Sequence, residues 1–69
     1  MILVIDFLFM REMEEFIKVV EENTIYKTRI IEKKYIPHSD GIEPSGAVTI
    51  DIADPVWLMH IGMRLQTHL

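Results

Sequence analysis

Ala47-Val48-Thr49-Ile50-Asp51-Ile52-Ala53-Asp54-Pro55 is the stretch that decides how this chain is built. Val48, Ile50 and Ile52 alternate with Thr49 and Asp51, the two-residue period of a strand with one face in a core and the other in water. Asp54-Pro55 then reads as a helix start: an N-cap carboxylate that accepts backbone N–H bonds, followed by proline at the first helical position, where its missing N–H is not needed. A closing helix is predicted to run from there to Leu69. Leu58, Ile61, Gly62, Leu65 and Leu69 share one side of it, and Val56, Trp57, Met59 and Met63 widen the apolar sector well beyond the usual stripe. Only His60, Arg64, Thr67 and His68 form a narrow polar sector. A helix this apolar calls for cover on more than one side.

Upstream, residues 37–46 hold four of the six Pro and Gly residues and read as a loop. Thr24 to Ile36 is dense in Ile, Tyr and Thr with no Gly or Pro, so one long strand is predicted, ending at Pro37. Both of its faces mix apolar and charged residues. That suits an edge strand meeting another subunit, or a register change partway along. Strand, loop and strand together imply an antiparallel hairpin with a long connection. From Phe9 the period becomes helical: Phe9, Met10, Met13, Phe16, Ile17 and Val20 fall on one side, with Arg11, Glu14, Glu15, Lys18, Glu21 and Glu22 opposite. Asn23 is a natural terminator. Met1 to Phe7 is a short apolar run, rich in Ile and Val, that reads as a buried strand.

The order is βαββα, an α+β fold in a single domain spanning 1–69, with two helices on an antiparallel sheet. In element order it is similar to a ferredoxin-like split βαβ plan lacking its last strand. Such a plan leaves an open sheet edge. Pairing two of these edges across a two-fold axis would cover the helices and close the sheet.

Composition points toward association. A compact monomer of 8.1 kDa exposes about 4,500 Å² against about 11,700 Å² unfolded, which leaves a thin core for a chain that is 49% hydrophobic. With no cysteine there is no disulfide or thiolate zinc site to reinforce it. A partner subunit is the remaining device, so a homo-oligomer, dimer or higher, is expected. Its contacts are expected on the wide helix faces, anchored by Phe16, Trp57, Met59 and Met63.

A net charge of −4 and a pI near 5.2 disfavour general attraction to nucleic acid or anionic membrane. The charge is uneven: a basic segment, residues 24–36, lies between two acidic ones. Met1 to Met10 has no basic leader, no small-residue cleavage site and half the length of a spanning helix, so neither a signal peptide nor a membrane span is expected. The reading is a soluble, cytoplasmic protein.

Four constellations carry possible chemistry. Asp6, Asp51 and Asp54, each near a strand end, would form a magnesium site of the kind used in phosphodiester hydrolysis if they met at one rim. Lys27, Arg29, Lys33 and Lys34, interleaved with Tyr26 and Tyr35, have the composition of an anion- or nucleic-acid-binding strand, without the aromatic spacing of an RNA-binding sheet. His38-Ser39-Asp40 and Glu43 are loop candidates for acid–base or metal chemistry, weighed against ordinary turn chemistry at Asp40-Gly41. His60, Arg64 and His68 line one side of the last helix, and that stripe suits an acidic partner. No nucleophile motif or phosphate loop occurs, and no cofactor is implied. The expected function is therefore a small non-catalytic homo-oligomeric binding protein. A metal-dependent phosphodiester hydrolase and a nucleic-acid-binding module are the alternatives.

Overall fold

A computed structural model describes residues 1–67 and has the element order anticipated above. Strand β1 is Ile2–Phe7, helix α1 Met10–Glu22, β2 Thr28–Ile36, β3 Ser45–Ile52 and α2 Val56–Thr67, with a single 3-10 turn at Thr24–Tyr26. The sheet order is β1-β3-β2, with β3 antiparallel to both neighbours. β1 and β2 are thus parallel strands separated by an inserted third, the split βαβ arrangement. The predicted extension of the last helix over His68 and Leu69 lies outside the described residues.

β3 is the centre of the molecule because its alternation is the cleanest in the chain. Val48, Ile50 and Ile52 are fully buried, facing the helices between β1 and β2. From α1, Met13, Phe16, Ile17, Val19 and Val20 close over them, and α2 adds Ile61. The Phe7 and Phe16 rings meet at 5.5 Å, and those of Tyr26 and Trp57 at 6.0 Å.

Both ends of α1 and the start of α2 are explained by particular residues. The Met10 N–H donates to the Pro44 carbonyl at 2.7 Å, so the loop before β3 satisfies one of the donors that α1 leaves open. At the other end, Asn23 Nδ2 donates to the Val19 carbonyl at 2.7 Å, and Asn23 Oδ1 accepts from Arg64 Nη2 at 3.3 Å, tying α2 to α1. Asp54 is the N-cap foreseen for α2: its carboxylate accepts the Val56 N–H at 3.0 Å, a bond of a kind worth about 1 kcal/mol.

Two sequence expectations need correction. Thr24, Ile25 and Tyr26 are not strand but a 3-10 turn, after which Lys27 sits in the left-handed region at φ 48°. The turn lets Tyr26 fold back against Trp57, which outweighs the strand preference of the triplet. The loop is also shorter than read, because β3 begins at Ser45. The mixed faces of β2 have a definite cause: its pairing with β3 steps from Ile30↔Ile50 to Glu32↔Thr49, leaving Ile31 as an extra residue. This bulge exchanges the two faces. Thr28 and Ile30 face the helices before it, and Lys33 and Tyr35 after it.

No helix among the described residues is long and apolar enough to cross a membrane.

Candidate interaction surface

The antiparallel pairing disperses the three aspartates. β1 ends where β3 begins, so Asp6 pairs with Ala47, whereas Asp51 pairs with Ile2 at the other end of the same strand. Four residues separate the two rows, roughly 13 Å along a strand. Asp51 lies 3.2 Å from the Met1 amino group and 3.6 Å from Arg29 Nη2, and Asp54 is engaged as the cap. Among the described residues no three carboxylate or imidazole groups are placed to hold a metal ion. Within a single chain the proposed site does not assemble.

The basic residues are dispersed too. Arg29 and Lys34 lie on the sheet face away from the helices, with Arg29 beside Asp51 and Lys34 Nζ 3.9 Å from Glu32. The bulge sends Lys33 to the other face, where it borders an open groove of about 450 Å³ with Glu14, Lys18, Glu21 and Glu22. Lys27 lies on the turn, in a second open groove of about 530 Å³ that also contains Glu21, Arg29 and Asp51. Neither groove presents charge of one sign, so among the described residues these two grooves offer a phosphate backbone no continuous basic track.

In the loop, His38 Nε2 lies 2.8 Å from Ser45 Oγ. The serine hydroxyl donates to the Leu8 carbonyl at 2.9 Å, so the imidazole is the donor in this pair. That is the reverse of the proton transfer a general base performs on a nucleophilic serine. On α2, the His60 and Trp57 rings meet tilted at 5.4 Å and Arg64 reaches Asn23, while His68 lies outside the described residues.

The structure also exposes a set of large apolar side chains. On α2, Met59 is 66% and Met63 59% accessible, with Val56 on the same side three and seven residues before them. Trp57 is only partly buried. Phe16 has to be withdrawn from the expected contacts: at 5% exposure it is a core residue of the single chain. Sequence reasoning instead missed Ile2 and Val4, exposed to 58% and 65%, because an apolar N-terminal run reads as buried on both faces.

These two residues lie on an unpaired edge. Met1 and Ile52 exchange backbone bonds in both directions, at 2.8 and 2.9 Å. Antiparallel partners alternate, so Leu3, Ile5 and Phe7 direct their N–H and C=O groups to β3, and Ile2, Val4 and Asp6 direct theirs outward. The helix-facing layer also thins here: Ile50 and Val48 are fully buried, while Leu3 and Ile5 beside them are only partly so. At the far side of the sheet, β2 carries Arg29, Glu32, Lys33, Lys34 and the bulge, which are common guards against edge pairing. β1 has no Lys, Pro or bulge, and one charge, Asp6. No family model, no curated protein and no solved structure matches this chain.

Proposed function

We propose that this chain is a non-catalytic interaction subunit that works as an assembly of its own copies. The observation that carries the reading is the apolar surface the single chain leaves uncovered, which includes Ile2 and Val4 on β1 and Val56, Met59 and Met63 on α2 beside further exposed side chains such as Leu8, Ile25, Ile36 and Ile42. Dispersed carboxylates, mixed-sign grooves and a histidine that donates to its serine give catalysis no comparable support.

Sedimentation equilibrium across micromolar concentrations tests the reading. The expected result is a mass that is a multiple of 8.1 kDa. A mass of one chain at every concentration would contradict it.

A further inference from the structure

We infer that the partner at the β1 edge is a second copy of β1, antiparallel and centred on Val4, so that two three-stranded sheets join into one. The inference rests on the self-association proposed above and specifies how it is made.

Four observations select this arrangement. First, β1 is the edge without guards and β2 the edge with them. A two-fold axis at β1 uses each open edge once and leaves the two guarded β2 edges outermost, so growth stops at the dimer. Second, the outward groups belong to Ile2, Val4 and Asp6, three residues symmetric about Val4. Centring there pairs Val4 with the partner's Val4 and Ile2 with Asp6 of the partner subunit, and forms about six backbone hydrogen bonds. A shift of the axis to Leu3 or Ile5 leaves one outward residue unpaired on each chain and reduces these to about four.

Third, on the helix side of this seam Leu3 lies opposite the partner's Ile5, and Ile5 opposite the partner's Leu3. Both are partly exposed in the single chain, so the seam completes the layer where the chain's own cover runs out. Fourth, the charges tolerate it. Asp6 is the only charge on the strand, and this register holds the two Asp6 carboxylates four residues apart, roughly 13 Å, whereas an axis at Ile5 would halve that.

Cysteine scanning tests the register directly, because the chain contains no cysteine of its own. In this arrangement the two Val4 Cα atoms are about 5.5 Å apart, within the span of a disulfide. The side chain of Val4 is exposed and away from the helices, so Val4→Cys leaves the fold intact. Mild oxidation is expected to convert Val4→Cys into a covalent dimer, while Ile2→Cys alone stays uncrosslinked and a mixture of Ile2→Cys with Asp6→Cys crosslinks. Val4→Lys, which sets like charges opposite each other, is expected to raise the dimer dissociation constant at least about tenfold with an unchanged circular dichroism spectrum.

A dimeric wild type in which Val4→Cys fails to crosslink, Ile2→Cys crosslinks to itself, or Val4→Lys associates undiminished would overturn this pairing and leave self-association standing. A wild type monomeric at all concentrations would overturn both.

Discussion

Ile50→Ala is expected to remove most of the stability of the fold. Ile50 is fully buried on the central strand, between Leu3 of β1 and Ile30 of β2. Its truncation deletes three carbons from the point where both sheet neighbours and the helix layer converge, a change that costs about 2–5 kcal/mol in packed cores. A domain of 69 residues has roughly 3–10 kcal/mol in total, so the variant should be largely unfolded or close to it. Urea denaturation followed by Trp57 fluorescence and circular dichroism, at one fixed protein concentration, measures the loss. Ile31→Ala is the control: the same chemistry at the exposed bulge residue should shift stability by no more than about 0.5 kcal/mol. Equal losses for the two variants would contradict the placement of the core.

Gly46→Ala is expected to destabilise the fold although it adds only one methyl group. A methyl group there would lie 2.6 Å from Met13 Sδ, 2.9 Å from Met13 Cε and 3.3 Å from Met13 Cβ. Met13 is fully buried, so its thioether end has little free space to turn into, and its Cβ, held by α1, has to give by a few tenths of an ångström. Overpacking of this kind costs about 1–3 kcal/mol. Met13→Ala alone opens a cavity and should cost about 2–5 kcal/mol. Combined, the new methyl occupies part of the vacated space, so the double variant should be more stable than the sum of the two losses implies, by about 0.5–3 kcal/mol. Strictly additive losses in a double-mutant cycle would show that the two side chains are not in contact.

These residues also show where sequence reasoning reaches and where it stops. The alternation at Val48, Ile50 and Ile52, the Asp54-Pro55 start and the α1 stripe ending at Asn23 are local patterns, and each is found as read. Ile31 was legible only as mixed faces on β2, since one inserted residue leaves no mark in composition and becomes visible only against its partner strand. Thr24-Ile25-Tyr26 has strand composition but forms a turn, because the ring contact of Tyr26 with Trp57 arises from residues thirty-one apart in the chain. The aspartates were misplaced for a related reason. Treating Asp6 and Asp51 as neighbours assumes that two strand ends coincide, and antiparallel pairing puts them at opposite ends. Phe16 was assigned outward because a helix stripe does not say which of its members the chain's own sheet will cover. The identity of the open edge follows from strand order, a long-range property, and only with that order does the apolar run Ile2–Phe7 become an unguarded edge.

The most direct measurement is amide hydrogen exchange at single residues of β1 over a range of protein concentrations. Leu3 and Ile5, bonded to β3, should be protected throughout, and Ile2, Val4 and Asp6 should become protected as concentration rises and copies pair. Outward amides that exchange as freely at high concentration as at low, with Leu3 and Ile5 still protected, would show that nothing covers this edge.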